Sequence, residues 1–170
     1  MVQCAGLAKG WGRWVARLIM ALPCARWPSN AIASRGKAME IPGLPARKSA
    51  LRLLDAVLRR GETLDVAAHG ALQGLRGAAD KALARALAAE ALRWLTDLDA
   101  LIDSATRQPL PEDAKPRSVL RLMLAGWLRL DTPPHAVIAT GLELLTGGPR
   151  RLAHGVFSTL VKRQASLPDA

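Results

Sequence analysis

Cysteine is almost missing from this 170-residue chain, and both copies, Cys4 and Cys24, fall before Met39. Everything downstream therefore holds neither a disulfide framework nor a thiolate zinc site. Tyrosine is absent, phenylalanine occurs once, and three of the five tryptophans also lie upstream of Met39. Trp94 and Trp127 fall on apolar stripes and read as core residues, so recognition by exposed aromatic stacking has little to work with. β-Branched residues are sparse, no segment alternates polar and apolar, and neither a Gly-rich phosphate loop nor an internal repeat occurs. A sheet and a dinucleotide-binding fold are excluded on that ground. His69, His135 and His154 are the only histidines, scattered without clustered carboxylates, so neither a metal site nor acid–base catalysis is expected. His154, at the flank of an apolar face, reads as a packing or hydrogen-bonding residue. Ser158 and Thr159 lack a partner base, and no catalytic residue is assigned.

What is present is Ala, Leu and Arg, in a chain that is 50% apolar, and an all-α fold follows. The chain carries 24 basic and 14 acidic residues, but Met1 to Ala38 holds six basic residues and no acid, leaving 18 against 14. The folded part is thus only mildly basic, and any nucleic-acid argument rests on where its arginines sit. In the first 38 residues a short apolar patch, Val15 to Leu22, is broken by Arg17, too short and too charged to span a membrane. Ala31-Ile32-Ala33 would suit a secretory cleavage site and the lack of acid a transit peptide, while MEIPGLPARKSA from Met39 reads as a natural start. The expected organisation is a basic extension over 1–43, one domain over 44–164 and a tail over 165–170.

Punctuation places the helices. A first helix runs from about Ala46 to Arg60 and stops at Gly61, and Thr63 or Asp65 opens a second to Leu72. Asp80 is the expected cap of a long helix, or two collinear ones, reaching Ala105. After a loop marked by Pro109, Pro111 and Pro116 come helices at 117–129, 133–146 and 150–164. Asp131 or Thr132 caps the second of these, and Gly147-Gly148-Pro149 separates it from the third.

Four strings, in this order and spacing, carry a family likeness: ARKSALRLLDAVL (Ala46 to Leu58), DKALARALAAEALRWLTDLDALI (Asp80 to Ile102), PRSVLRLMLAGWLRLDTPPHAV (Pro116 to Val137) and GVFSTLVKR (Gly155 to Arg163). Together they resemble the NusB family of all-helical RNA-binding domains, over about Leu44 to Arg163. His154 stands where that family's last helix usually carries Asn. Within the family the strings look most like the amino-terminal domain of the ribosomal-RNA cytosine-C5 methyltransferases called RsmB or Sun. The resemblance implies an antiparallel bundle of five to seven helices that binds RNA in the cytoplasm. In those enzymes a following domain binds S-adenosylmethionine and supplies the catalytic cysteines; no such unit is seen before Ala170. The chain is accordingly expected to use no cofactor and to methylate nothing by itself, as the targeting part of a truncated or split enzyme.

The binding residues come from helical angles. Ala50, Leu51, Leu53, Leu54, Val57 and Leu58 fill one side of the first helix, while Lys48, Arg52, Asp55 and Arg59 line the other, with Arg60 beside them. On the last helix Val156, Phe157, Leu160 and Val161 turn inward while Arg151, Ser158 and Lys162 face out, and Arg163 follows. If these helices pack side by side, as the resemblance implies, Lys48, Arg52, Arg59, Arg60, Arg151, Lys162 and Arg163 form one phosphate-contacting surface. Arg47 falls inside the apolar sector, where it would snorkel or pair with Asp80 or Glu143. Three functions stay open: a ribosomal-RNA-binding domain working with a methyltransferase domain, an antitermination factor with a ribosomal protein as partner, and a helical protein-interaction module without RNA affinity. None involves a membrane.

Overall fold

The computed structural model describes residues 41–168; the readings made on Met1 to Ala38 lie outside them. Seven α-helices and one short 3-10 turn make up the described chain, with no strand among these residues.

Helix α1, Leu44–Arg60, enters through a left-handed Gly43 and has proline in its first turn. It ends at Gly61, whose φ of 67° lets its N–H reach back to the Val57 carbonyl at 3.2 Å, the glycine stop that the sequence advertises. Thr63 opens α2, Leu64–Ala71, by accepting from the Val66 N–H at 3.4 Å.

The expected long helix bends at Trp94 into α3, Ala78–Arg93, and α4, Leu95–Ser104. The Trp94 N–H closes α3 on the Glu90 carbonyl at 3.1 Å, and the Trp94 carbonyl accepts from the Leu98 N–H at 2.9 Å to open α4. Asp80 does not cap α3. Gly77 does, and Asp80 sits in the first turn, where a carboxylate complements the helix dipole.

Helix α5, Lys115–Leu128, is buried on all sides from Arg117 to Gly126 and is the axis of the bundle: α1, α3, α4, α6 and α7 all pack on it. After it Asp131 takes a left-handed φ of 49°, and Pro133, neither Asp131 nor Thr132, occupies the cap of α6, Pro134–Gly141. The helix expected to run to Thr146 tightens instead into a 3-10 turn, Leu142–Leu144. Gly147, Gly148 and Pro149 form the first turn of α7, Gly147–Lys162, rather than a loop before it. Gly141 has a packing reason to be glycine, because a Cβ there would stand 2.6 Å from Met123 Cγ on α5. Leu53, Leu54, Leu87, Leu98, Leu120, Leu124 and Phe157 are fully buried, and Trp127 meets Phe157 edge to face at 5.6 Å.

Candidate nucleic-acid interface

Lys48, Arg52, Asp55 and Arg59 form the outward stripe of α1, held rigidly because its opposite side, from Ala46 through Leu54, is pressed into the core. Lys48 and Arg52 are exposed and make no ion pair among the described residues. Arg59 is engaged differently: it faces Asp55 at 3.7 Å and donates to the Asp113 carbonyl in the α4–α5 loop. Arg60 is bound to Glu62 at 2.6 Å. On α7, Arg151 and Lys162 are exposed and without ion pairs among the described residues, whereas Arg163 donates to the Ser104 carbonyl at 3.2 Å.

The two helices do not pack side by side. Helix α1 packs chiefly on α3 and α2 and also touches α5, while α7 packs chiefly on α5, so the two meet α5 rather than each other. The seven expected residues therefore do not merge through a shared α1–α7 seam. The C-terminal end of α1 borders a cleft of about 600 Å³ whose walls carry Asp55, Asp99, Asp103, Glu112 and Asp113. That rim sets a negative field beside Arg59, which weakens the case for Arg59 as a phosphate contact. Leu58, expected in the core, also opens onto this cleft at 39% exposure.

The floor of the cleft is an ion network absent from the expected site. Arg121 grips Asp99 with two bonds of 2.7 Å, and Arg117 grips Asp103 with two of 3.0 Å while its Nε donates to Asp99 at 3.1 Å. Both arginines are almost wholly buried, and Arg117 also donates to the Leu110 carbonyl at 2.6 Å. Burial alone would push the Asp99 carboxyl up; hydrogen bonds and charge from Arg121, then Arg117, outweigh it and hold the group below its ordinary value. Burial likewise favours proton loss from Arg117, yet bonding to Asp103 and Asp99 raises it above the usual arginine value. A signal existed in the sequence: carboxylates four apart on one helix face arginines four apart on the next, a spacing that lets two pairs close together. The network pins α4 to α5. Arg47 is buried as expected but pairs with neither Asp80 nor Glu143; its Nη1 donates to the Gly43 carbonyl at 3.2 Å, and burial lowers its pKa.

Residues 44–148 match the sequence profile of the NusB family, more than half of the chain. The chain belongs to the NusB family. Among solved structures it is similar to a chain in the crystal structure of a plectonemic RNA supercoil, with a TM-score of 0.64 and 21% identity, covering 71% of this chain and 94% of that one. It is also similar to a chain in the crystal structure of the antitermination factors NusB and NusE in complex with double-stranded RNA. There the TM-score is 0.63 and the identity 21%, with 71% of this chain and 96% of that one covered. No match was found among curated protein sequences.

The remaining candidates in this NusB domain sort by exposure. His154 does not pack: it is exposed on α7, as are His69 on α2 and His135 on α6. Trp94 is half-buried, with Arg129 4.9 Å above its ring and its indole N–H unpartnered. The described residues include no cluster of His, Cys, Asp or Glu suited to a metal ion, and no helix long and apolar enough to cross a membrane.

Proposed function

We propose that this NusB-family chain is an RNA-binding domain that contacts phosphates through the outer faces of α1 and α7, with Lys48 and Arg52 as the leading pair and Arg151 and Lys162 in support. The observation that carries the reading is the pair of exposed cations one helical turn apart on α1, neither held by a carboxylate among the described residues. A cation already bound to a carboxylate, as Arg59 and Arg60 are, or to a backbone carbonyl, as Arg163 is, must give up that bond to meet a phosphate, so these three rank behind them. The RNA-bearing structures of similar fold support the same class of partner. The test is anisotropy titration of a labelled RNA with the full chain at several salt concentrations. The Lys48→Glu/Arg52→Glu double variant should weaken binding at least about tenfold and flatten the salt slope by about one to two. Unchanged affinity and slope would leave a helical protein-interaction module as the better account.

The finer reading makes this the targeting domain of a ribosomal-RNA cytosine methyltransferase. It is supported by the strings DALIDSATRQPLP, Asp99 to Pro111, and VKRQASLP, Val161 to Pro168. S-adenosylmethionine would then be handled by a separate domain, with this domain supplying only affinity for the RNA. Sequencing the transcript beyond the codon for Ala170 tests it: a continuing methyltransferase frame supports the reading, and unrelated sequence favours a stand-alone factor with a ribosomal protein as partner.

A further inference from the structure

Beside the cationic stripe of α1 runs a groove of about 360 Å³ between that helix and α2. One wall is the outer side of α2, where Val66 is 65% exposed and Gly70 has nothing within 4 Å of where a Cβ would stand. The other wall carries Arg52, Asp55 and Arg60, with Glu62 at the turn. Arg60 and Glu62 satisfy each other at 2.6 Å, which leaves Arg52 as the cation able to take an anion and the carboxylates of Asp55 and Glu62 as acceptors with spare capacity. The volume falls at the small end of ligand sites, and the groove combines an apolar surface, acceptor groups and one cation.

Resting on the RNA-binding reading above, we infer that this groove seats one unstacked nucleotide of a bound strand. Its base lies against Val66 and Gly70, a base amino group faces Asp55 or Glu62, and the adjoining phosphate meets Arg52. A nucleobase has an apolar face and a hydrogen-bonding edge, and an ionised carboxylate accepts hydrogen bonds but donates none, so it faces a donor on that edge. Cytosine offers an amino group at the edge where uracil offers an oxygen, so the groove favours cytosine over uracil. A paired base has that edge occupied and is not seated.

The test uses the full chain with labelled oligocytidylate, oligouridylate of equal length, and a duplex. The wild type should bind oligocytidylate more tightly than oligouridylate. A Cβ at Gly70 meets nothing within 4 Å and leucine favours the helix over glycine in the last turn of α2, so the melting temperature of Gly70→Leu should not fall. It should weaken oligocytidylate binding about fivefold, the equivalent of about one net hydrogen bond, and leave oligouridylate and duplex binding unchanged. The Asp55→Asn/Glu62→Gln double variant, less acidic, should bind both oligomers more tightly while losing the preference between them. Wild-type oligocytidylate binding by folded Gly70→Leu, or an equal loss with the duplex, would overturn the inference. If Arg52→Glu nevertheless weakens every RNA, the groove is empty and the cationic face stands. If the Lys48→Glu/Arg52→Glu double variant is also silent, the RNA-binding role of the α1 face falls with it.

Discussion

Asp99 is the residue whose loss should separate a buried ion network from a surface ornament. It accepts three bonds, two from Arg121 at 2.7 Å and one from Arg117 at 3.1 Å, and only a fifth of its side chain is exposed. In Asp99→Asn the guanidinium of Arg121, 3% exposed, keeps its charge but loses its counter-charge and one of its two bonds to residue 99, retaining one amide oxygen and the Glu112 carbonyl at 3.4 Å. Breaking one partner of a fully buried pair costs about 3–5 kcal/mol; the partial exposure of Asp99 brings the expected loss to about 2–4 kcal/mol. Asp103→Asn should cost less, about 1 kcal/mol, because Asp103 is 36% exposed and Arg117 keeps Asp99 and the Leu110 carbonyl. Replacing the pair together, Asp99→Leu with Arg121→Met, should recover most of the loss, since the penalty belongs to the charge left behind. The pH dependence has a fixed sign. The folded Asp99 carboxyl titrates below its ordinary value, so its contribution is complete above that value, about pH 4, and fades as pH falls through the depressed folded one. Wild type and Asp99→Asn should thus differ by a constant amount near neutrality and converge in acid. Urea unfolding followed by tryptophan fluorescence measures all four proteins. Equal stability of wild type and Asp99→Asn at neutral pH, or a larger loss for Asp103→Asn, would refute the reasoning.

Other perturbations probe the core. Leu54→Asp places a carboxylate at a position with no solvent exposure and should abolish the cooperative thermal transition seen by circular dichroism. Gly141→Ala drives a methyl into Met123 and should cost about 1–3 kcal/mol in urea unfolding, and clearly less when introduced into a Met123→Ala background. Phe157→Ala removes a fully buried ring and its edge contact with Trp127, an expected loss of about 3–5 kcal/mol accompanied by a red-shifted tryptophan emission.

Most of the fold was legible because it follows from local rules. Gly61 and Thr63 mark where α1 ends and α2 starts through backbone geometry that only neighbouring residues decide. The errors fell where a local rule had competitors. Asp80 is a good capping residue, but the chain had already turned helical at Ala78. Gly147 to Pro149 read as a break, yet glycine and proline are both tolerated in a first helical turn. Leu58 shared the apolar sector with Leu54 but extends past the end of the packed interface and into the cleft.

The amphipathic periods of α1 and α7 determined by themselves most of the buried positions, Leu58 and His154 excepted, and which cations would face water, because a helix turns its side chains out at a constant angle. They did not determine which of those cations stay unpaired, or that the two helices would each meet α5 rather than one another. Those outcomes depend on carboxylates and carbonyls distant in sequence: Asp113 reaches Arg59, Ser104 reaches Arg163, and Asp99 and Asp103 hold Arg121 and Arg117. Electrostatic partners are chosen by distance in space, which the chain acquires only when the bundle closes.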